Sequence, residues 1–526
     1  MLDALVDLAE PRALAAEAAR VAAEVARIAL GVSDVTVPAA DRRFADPTWT
    51  ENPLYRRWAQ GYLVWADAVG RLASRPRSPA DWRREARARL AADLITEAAA
   101  PTNVLPGNPA AIKRAFETGG ASLARGLRNA LRDVSHRGGM PSQVDRRPYE
   151  VGENLAATPG SVVYRDELFE LIQYAPATAR VRARPVLMIP PQVNKHYFLD
   201  LAPGRSLVEY LVGRGMQYFT LVWRNPGAED GDWGIDDYAA AQLRAIEVVR
   251  EISGSDELGL MGVCAGGLTT ALMLGHLAAS GEAEAISSAT FAISMIDSRN
   301  PNPMSMLATD EFRGQVAKDA AAGKVYDRER IGRTFAWLRA NDLVFNYVVN
   351  DWLLGEAPPA FDILAWNDDG SDLPARFYGE MLDIYAHNRA AMAGSVTVLG
   401  TPIDLGQVRC DSFVVAGVTD HITPWNCGYM TSRLLGGSSE VVVTSTGHIQ
   451  TMVNPPGKPR ARYFTGAPGP DPDDWMAAAT SQDGSWWPRY AEWLIARSGE
   501  EQEPPATLGS VRYPPLDAAP GRYVLG

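Results

Sequence analysis

Short apolar runs alternate with helical patterns over roughly the last two thirds of the chain, beginning near Val162. The apolar runs occupy residues 185–189, 218–222, 258–261, 412–417 and 440–444. Residues 236–252, between the second and third of these runs, repeat apolar side chains at the spacing of an α-helix. Strand-length runs that alternate with helices are typical of a parallel sheet covered by helices. We therefore predict an α/β domain over residues 166–526.

The preceding residues follow a different pattern. Residues 1–165 are rich in Ala, Arg and Leu at helical spacing and end in a polar, glycine-containing connector at residues 136–161. One apolar stripe recurs every three or four positions: Leu14, Ala18, Val21, Val25 and Ile28. We predict a helical N-terminal domain over residues 1–165. The stripe is interpreted either as packing within the protein or as a contact with another subunit or an external surface.

The strand pattern is interrupted between residues 297 and 396. This stretch contains many aromatic residues and polar turns, and strand-like runs resume at Val398 and Phe413. Long insertions between the strands of a sheet often carry functional elements rather than core. We predict that residues 297–396 form a cap over the active site of the α/β domain.

Cys264 stands between glycines where a buried strand turns into a helix. The run Gly262-Val263-Cys264-Ala265-Gly266 places a thiol where the Gly-x-Ser-x-Gly turn of hydrolases carries its serine. Glycines permit the strained turn, and the first amides of the following helix favour the thiolate form of the cysteine. The alternative is a small buried cysteine beside a glycine-rich turn, and the residues farther along the chain decide between the two.

An acid and a histidine follow in the order that such a turn requires. Asp420 comes just after the apolar run at residues 412–417, and His448 follows the run at residues 440–444. Both would lie at the edge of the sheet that carries Cys264. We predict that Asp420 orients His448 and that His448 accepts the proton of the Cys264 thiol. His421 neighbours the acid directly, so we expect it to serve a structural role.

The reaction of a thiolate with an acyl group produces an oxyanion that needs two backbone amides. Ala265, the residue after the nucleophile, is expected to supply one of them. The loop after residue 189 is expected to supply the other, with Val193 as the candidate. For Val193, packing of an apolar side chain is an equally good interpretation.

Several longer segments share their sequence with one known family. They are Pro190-Pro191-Gln192-Val193-Asn194-Lys195, Trp223-Arg224-Asn225-Pro226, Asp236-Asp237-Tyr238, the segments at residues 341–347 and 361–367, Thr419-Asp420-His421-Ile422-Thr423-Pro424-Trp425 and Gly447-His448-Ile449-Gln450. In these segments and in the glycine box around Cys264, the chain resembles the polyhydroxyalkanoate synthases, from about Phe44 to the C-terminal residues 520–524. The resemblance implies an α/β-hydrolase fold with a cap insertion.

The resemblance also implies a reaction. Members of this family polymerise (R)-3-hydroxyacyl groups from coenzyme A thioesters into an intracellular polyester, with the cysteine as acyl carrier. The histidine is the base, and the aspartate assists the incoming 3-hydroxyl. No metal or separate cofactor is implied, because coenzyme A enters as part of the substrate and is released. A cysteine suits this chemistry, because an acyl group on sulfur remains an activated thioester until an alcohol takes it.

Two other functions fit the same residues less well. A cysteine-dependent acyl-CoA thioesterase or hydrolase would admit water to the acyl-cysteine, and the cap is the feature that would distinguish it. A non-catalytic protein that binds polyester granules would not need Cys264, Asp420 and His448 together.

The residues around the nucleophile bear on the length of the acyl chain. Val263 stands where many short-chain members of the family carry an aromatic residue, and Gln450 follows His448 closely. These features resemble the single-subunit synthases that use medium-length acyl chains, known as class II. We name Val263, Gln450 and Asn194 as candidate substrate contacts, although Val263 can equally face the interior of the sheet.

The composition of the chain bears on the partners that it can bind and on the compartment in which it works. The 526 residues carry a net charge of −12, which argues against general binding of nucleic acid. The phosphates of coenzyme A then need a local basic patch, for which Lys195 and Arg224 are candidates. Three cysteines, an odd number, favour a reducing compartment over a disulfide framework.

The expected location and partners follow from the same observations. We find no signal-peptide pattern and no apolar run of membrane-spanning length in the sequence, so we expect a cytoplasmic protein without a transmembrane segment. The resemblance adds a location at the surface of polyester granules. It also implies a homodimer, with the growing polyester and granule-associated proteins as partners.

Overall fold

The computed structural model describes residues 10–74 and 82–526, and its contacts divide the chain into two compact units. The helical unit comprises Met1–Arg146 and Gly332–Phe361, and the sheet unit comprises Arg147–Ile331 and Asp362–Gly526. The middle of the predicted cap is thus grouped with the N-terminal helices, and the first break in the chain falls before residue 165. The domain bounds drawn from the sequence stay predictions.

The helical unit consists of helices joined by short turns. Within residues 10–74 and 82–146 its helices are α1 (Pro11–Leu30), α2 (Thr48–Glu51), α3 (Pro53–Ala73), α4 (Trp82–Ala98), α5 (Pro109–Glu117) and α6 (Ala121–His136). Two π-helical turns, Asn341–Phe345 and Val348–Leu353, come from the later segment. Helix α6 packs against the second of them.

Helix α1 forms where the apolar stripe predicts it, but the stripe is not the buried face. Leu14 and Val25 are 40% and 46% exposed, whereas Ala13 and Glu17 are buried. Glu17 is stabilised there because Arg71 of α3 donates a 2.8 Å hydrogen bond to its carboxylate. Packing within the protein, one of the two interpretations of this stripe, therefore holds for Ile28 but not for Leu14, Ala18 and Val25.

Helix α6 also buries small and polar residues and exposes its leucines. Its buried face contains Ser122, Gly126 and Asp133. A Cβ atom on Gly126 would lie 1.9 Å from the backbone oxygen of Trp352, so only glycine allows the observed approach. Asp133 accepts hydrogen bonds from the Trp352 indole at 2.9 Å and from the Ser142 hydroxyl at 2.6 Å.

The opposite side of α6 presents an apolar surface. Leu127, Leu131 and Val134 are 62%, 62% and 61% exposed. Their spacing of four and three residues places them on one face of the helix. Arg128 and Arg132 lie beside them in the sequence and are also exposed. We call Leu127, Leu131 and Val134 the leucine face of α6.

The sheet unit is built from strands that the apolar runs predict closely. Its strands are β1 (Gly160–Arg165), β2 (Phe169–Tyr174), β3 (Val181–Arg182), β4 (Val186–Ile189), β5 (Tyr218–Trp223), β6 (Leu258–Val263), β7 (Ile286–Ala292), β8 (Val325–Tyr326), β9 (Leu373–Pro374), β10 (Thr397–Val398), β11 (Thr401–Pro402), β12 (Asp411–Gly417), β13 (Ser439–Thr444), β14 (Arg462–Gly466), β15 (Thr480–Asp483), β16 (Glu501–Gln502) and β17 (Asp517–Ala518). All five predicted strands occur, with ends that differ by at most two residues.

Eleven of these strands form one mixed sheet within the described residues. Their order is β15-β14-β13-β12-β7-β6-β4-β5-β2-β1-β17. The six strands from β5 across to β13 are parallel, and the strands at both sides are antiparallel. The predicted α/β-hydrolase fold is confirmed. In such a sheet the carboxyl ends of all parallel strands meet at one edge, where a site can form.

Helices cover this sheet and complete its core. Those that begin beyond residue 146 are α7 (Leu207–Val212), α8 (Ile235–Ser253), α9 (Ala265–Ser280), α10 (Pro303–Leu307), α11 (Asp310–Ala321), α12 (Arg328–Trp337), α13 (Asp362–Asn367), α14 (Ala375–His387), α15 (Trp425–Leu434), α16 (His448–Met452), α17 (Pro472–Ala478) and α18 (Trp487–Ile495). Phe219 and Leu260 of the sheet pack in one cluster with Leu268 and Leu272 of α9, all at most 1% exposed. Each such buried side chain contributes about 1.5–3 kcal/mol, which fixes α9 and the turn before it.

Candidate active site

Cys264 occupies a sharp turn between β6 and α9, as its glycine box predicts. Its backbone angles are φ 52° and ψ −122°, a conformation that side-chain-bearing residues rarely adopt. The Cys264 amide donates to the backbone oxygen of Ala292 at 2.9 Å. Helix α9 begins at Ala265, so the positive end of its dipole lies at the cysteine. The turn therefore places the Cys264 side chain at the carboxyl end of β6, directly before the first turn of α9.

The glycines of the box are required by close approaches of other backbone and side-chain atoms. A Cβ on Gly266 would lie 2.5 Å from the backbone oxygens of Ile189 and Pro190. A Cβ on Gly267 would lie 2.0 Å from the hydroxyl oxygen of Ser294. The loop after β4 therefore packs directly against the first turn of α9.

Asp420 and His448 meet at the carboxyl edge of the sheet. Asp420 follows β12, and His448 is the first residue of α16 after β13. Nδ1 of His448 lies 2.6 Å from Oδ2 of Asp420, and each of the two residues is 6% exposed. The backbone N–H groups of Ile422 and Thr423 donate to the other carboxylate oxygen at 2.8 and 2.9 Å. Asp420 is thus held in one orientation and in turn orients His448.

The charges of Cys264, Asp420 and His448 determine the pKa of the Asp420 carboxyl group and the pKa of the His448 imidazole. Burial by itself would raise the pKa of Asp420, but His448 and the two backbone N–H groups lower it. Burial by itself would lower the pKa of His448, but the charges of Asp420 and of the Cys264 thiolate raise it to about 10. Cys264 is therefore close enough to His448 for an imidazolium and a thiolate to stabilise each other.

The loop Pro190–Lys195 borders this site. Ala265 lies directly after the nucleophile, and the approach of Gly266 to Pro190 brings the loop that carries Val193 beside it. The Gln192 side chain donates to the hydroxyl oxygen of Thr269 on α9 at 3.2 Å, which ties the loop to the same helix. The roles of the Ala265 and Val193 amides in binding an oxyanion stay predictions.

The three candidate substrate contacts differ in their surroundings. Val263 is completely buried, which fits the interpretation that it faces the interior of the sheet. Asn194 is half-buried and bridges to Gly370. Gln450 is exposed and lies two residues beyond His448. Their assignment as substrate contacts stays a prediction.

Two residues near the site were missed in the sequence. The Thr423 hydroxyl lies 2.9 Å from the Asp420 carboxylate, 2.9 Å from the backbone oxygen of Ile293 and 3.2 Å from Nδ1 of His448. Burial raises the pKa of Tyr385, and the negative charge of Cys264 raises it further, so its phenol lies near the nucleophile. Thr423 belongs to the segment around Asp420 and could have been found there. Tyr385 lies on α14, and no local pattern connects it to Cys264.

The two candidates for binding coenzyme A phosphates already have partners in this structure. Lys195 is only 4% exposed, and its ammonium group donates to the backbone oxygen of Gly526 at 2.6 Å. Arg224 donates to Asp230 at 2.9 Å and to the backbone oxygen of Glu167, and its guanidinium lies over the ring of Trp233. The burial of its ammonium group argues against Lys195 as a contact for these phosphates, and Arg224 stays a candidate.

Other types of site find less support. Over residues 10–74 and 82–526, no three His, Cys, Asp or Glu side chains are grouped as a metal site would require. In the same part of the chain, every helix is too short or too polar to cross a bilayer. A pocket of about 430 Å³ lined by Ser439, Thr465 and Arg489 opens at the other end of β13 from His448, away from the candidate chemistry.

Comparisons with known proteins show the family and the fold of the chain. The family described as "Poly-beta-hydroxybutyrate polymerase (PhaC) N-terminus" matches residues 40–211, and the family "alpha/beta hydrolase fold" matches residues 194–455. Three curated relatives are similar over nearly the whole chain. Poly(3-hydroxyalkanoate) polymerase 2 of Ectopseudomonas oleovorans is 46% identical over 92% of this chain and 86% of its own length.

The other two relatives have the same kind of name. Poly(3-hydroxyalkanoate) polymerase 1 of the same organism is 43% identical over 94% of this chain and 88% of its own length. The poly(3-hydroxyalkanoate) polymerase subunit PhaC of Cupriavidus necator is 38% identical over 94% of this chain and 84% of its own length.

Proposed function

The chain belongs to the poly(3-hydroxyalkanoate) polymerase family, and we propose that it joins (R)-3-hydroxyacyl groups from coenzyme A thioesters into a polyester. The observation that supports this most is the arrangement of Cys264, His448 and Asp420 at one edge of the sheet, with the 2.6 Å contact between His448 and Asp420. The enzyme is then an acyltransferase. Coenzyme A is part of the substrate and leaves during the reaction, so the proposal includes no separate cofactor.

The first step is acylation of Cys264. The thiolate attacks the carbonyl carbon of the substrate thioester, and the amides of Ala265 and Val193 hold the resulting oxyanion. When the tetrahedral intermediate collapses, the bond to the sulfur of coenzyme A breaks. His448 gives its proton to that sulfur, so that coenzyme A leaves as the free thiol and an acyl-cysteine remains.

The second step is transfer to a hydroxyl group. The 3-hydroxyl of another hydroxyacyl group attacks the acyl-cysteine, its proton passes to His448, and the sulfur of Cys264 leaves as a thiolate. A thioester is exchanged for an oxygen ester, so the step is downhill. Asp420 is almost fully buried and its carboxylate is occupied by His448, Ile422 and Thr423. This supports orientation of His448 as its main role, with direct help to the incoming hydroxyl as the alternative.

One experiment separates the proposed reaction from hydrolysis. The protein is incubated with an (R)-3-hydroxyacyl-CoA, and free coenzyme A, monomeric hydroxy acid and insoluble polyester are measured separately. Coenzyme A with polyester is the expected result. Coenzyme A with monomeric acid would identify a thioesterase or hydrolase of the same fold, and no release of coenzyme A would leave only a granule-binding role.

We further propose a preference for medium-length acyl chains. The support is the valine at position 263 in place of an aromatic residue, together with Gln450 near the histidine. Each additional methylene that is buried contributes about 0.8 kcal/mol, so a modest enlargement of the pocket is enough for a measurable preference. Competition between a C4 and a longer hydroxyacyl-CoA tests it, and a higher kcat/KM for C4 would contradict it.

The proposed setting is the cytoplasmic surface of polyester granules, with the protein as a homodimer. Residues 1–165 are proposed to act in assembly and in attachment to the granule and its proteins. The leucine face of α6 supports attachment to the polyester, because an insoluble apolar product offers a surface on which exposed leucines can be buried. Sedimentation with polyester particles, compared between the unchanged chain and one that carries Leu127→Gln with Leu131→Gln, tests this role.

A further inference from the structure

Lys195 is in an environment that a lysine rarely occupies. It is 4% exposed, and the one hydrogen bond of its ammonium group that the structure defines runs 2.6 Å to the backbone oxygen of Gly526. Burial, together with the charge of Arg328, lowers the pKa of Lys195 to about 8, although Asp369 and Asp372 act in the opposite direction. A buried ammonium group is costly unless a contact compensates it. The usual role of a lysine as a charge on the protein surface therefore does not explain the buried contact between Lys195 and Gly526.

Gly526 is held in place by the residues just before it. We call residues 521–526 the C-terminal strap. Glu170, which is fully buried on β2, accepts hydrogen bonds from the backbone N–H groups of Arg522 and Tyr523 at 2.9 and 3.0 Å. The Tyr523 hydroxyl donates to the backbone oxygen of Asp166 at 2.5 Å, and Val524 is 1% exposed.

The first residue of the strap shows how closely it is fitted. Gly521 has φ 83°, and a Cβ atom there would lie 2.3 Å from the carboxylate of Glu170. Both the backbone angle and the contact require glycine. The strap is thus attached at one end to β2 and at the other end to Lys195.

The strap lies at the edge of the sheet that carries Cys264. Phe169, at the start of β2, pairs with Trp223 at the carboxyl end of β5. The Trp223 indole donates to the backbone oxygen of Pro190 at 2.9 Å, at the start of the loop Pro190–Lys195. Lys195 ends this loop, and its backbone oxygen accepts from the Trp366 indole at 2.9 Å.

The middle of the loop depends on these two ends. Pro190, Gln192 and Lys195 are buried, whereas Val193 and Asn194 between them are only half-buried. The Val193 amide must be aimed within a few tenths of an ångström to stabilise an oxyanion. Fixing both ends of this six-residue loop restricts the position and the direction of the Val193 amide.

We propose that Lys195 is a positioning residue, through which the C-terminal strap holds the loop Pro190–Lys195 and aims the Val193 amide at the oxyanion formed on Cys264. This proposal rests on the proposed function, because it assigns the loop to the acyl-transfer step. It requires no contact between Lys195 and the substrate. Acyl transfer from the thioester should therefore depend on the strap, whereas the reactivity of the thiolate itself should not.

Two reactions of Cys264 distinguish these effects. Release of coenzyme A from a hydroxyacyl-CoA needs the oxyanion amides, whereas alkylation of Cys264 by iodoacetamide needs only a reactive thiolate. We expect Lys195→Met to lower the kcat for coenzyme A release by about tenfold to a hundredfold and to change the alkylation rate by less than about twofold. A chain that ends at Leu525, which lacks Gly526 and keeps the other contacts of the strap, should show the same pattern.

The combined variant and two controls make the test sharper. Lys195→Met in the chain ending at Leu525 should be no worse than either change alone, because both changes remove the same contact between Lys195 and Gly526. Lys195→Arg, which can still donate to Gly526, should recover much of the rate. Lys318→Met removes the same charge from an exposed position of α11 and should leave both reactions unchanged.

Each other outcome contradicts one specific statement. Equal losses of coenzyme A release and alkylation would mean that the strap only stabilises the fold, and unchanged coenzyme A release would mean that Lys195 positions nothing. Losses that multiply in the combined variant would mean that the two changes act separately. If the unchanged protein releases no coenzyme A from hydroxyacyl-CoA substrates, the proposed function fails instead.

Discussion

The sheet unit and the helical unit use their apolar and polar residues in opposite ways. In the sheet unit the leucines and phenylalanines of β5, β6 and α9 are buried, and the polar residues Cys264, Asp420 and His448 gather at one edge. In the helical unit α6 buries Ser122, Gly126 and Asp133 and exposes its leucine face. Reactive groups need a rigid surrounding that excludes water, whereas a contact surface needs exposed apolar residues.

The charges of the two units differ as well. The helical unit has 23 Lys and Arg against 20 Asp and Glu, and the sheet unit has 28 against 43. The net charge of −12 therefore comes from the sheet unit alone. An acidic chain can thus still carry a slightly basic unit, and the composition of the whole chain conceals that difference.

The largest expected effect tests whether all of the chemistry belongs to the sheet unit. Cys264→Ala should abolish release of coenzyme A, because it removes only the sulfur that carries the acyl group. The far-UV circular dichroism spectrum and the melting temperature should remain close to those of the unchanged protein. Polyester formed by this variant at more than trace levels would contradict the assignment of Cys264.

The next effect concerns the pair Asp420 and His448. Asp420→Asn removes the charge that raises the pKa of His448, so the imidazolium that stabilises the thiolate is lost at a lower pH. We expect the alkylation rate of Cys264 at neutral pH to fall about tenfold or more, as one pKa unit is a factor of ten. The pH profile of alkylation should rise only at higher pH than in the unchanged protein.

The same variant separates two roles of Asp420. If Asp420 mainly orients His448, acylation by a hydroxyacyl-CoA and growth of the polyester should fall together. If it mainly assists the incoming hydroxyl, rapid-quench measurements should show normal acylation of Cys264 with slow growth. His448→Ala serves as the reference, because it removes the base from both steps.

Ionisation of His448 also links stability to pH. The pKa of His448 in the folded protein, about 10, lies above its ordinary value of about 6.5. The stabilisation from this group is therefore complete below pH 6.5 and is lost as the pH rises through about 10. The difference in the free energy of unfolding between the unchanged protein and His448→Gln should shrink over that range. A constant difference from pH 6 to pH 10 would contradict the raised pKa.

Two glycines allow a matched comparison of the units. Gly266→Ala places a Cβ against the backbone oxygens of Ile189 and Pro190, and Gly126→Ala places one against that of Trp352. Each should lower stability by about 1–3 kcal/mol. Only Gly266→Ala should also slow release of coenzyme A, because only that contact borders Cys264. An equal loss of activity in Gly126→Ala would contradict the separation of chemistry from the helical unit.

The smallest expected effect concerns the leucine face of α6. Leu127→Gln with Leu131→Gln should reduce retention on polyester particles severalfold in a sedimentation assay, because two exposed apolar contacts are lost. Stability should change by less than about 0.5 kcal/mol per site, since both side chains are exposed, and the initial rate of coenzyme A release should not change. The matched control is Arg56→Gln with Arg57→Gln, at exposed positions of α3. Equal retention of both double variants would argue against α6 as the attachment surface.

Local patterns in the sequence determined much of the sheet unit. The apolar runs predicted five of the strands, and the glycine box predicted the turn at Cys264, because strand periodicity and tight turns depend on neighbouring residues. The order of nucleophile, acid and histidine indicated Asp420 and His448, and the structure brings these two side chains together. Their catalytic roles stay predictions.

Tertiary structure alone decided which faces are buried and which distant residues meet. The exposed stripe of α1, the leucine face of α6, the burial of Lys195 against Gly526 and the position of Tyr385 near Cys264 all depend on contacts between residues far apart in the chain. A helical pattern shows that one side of a helix is apolar, but it does not show whether that side has a partner. Whether a residue is buried depends on the neighbours that folding brings to it. For these residues, no local pattern in the sequence identifies those neighbours.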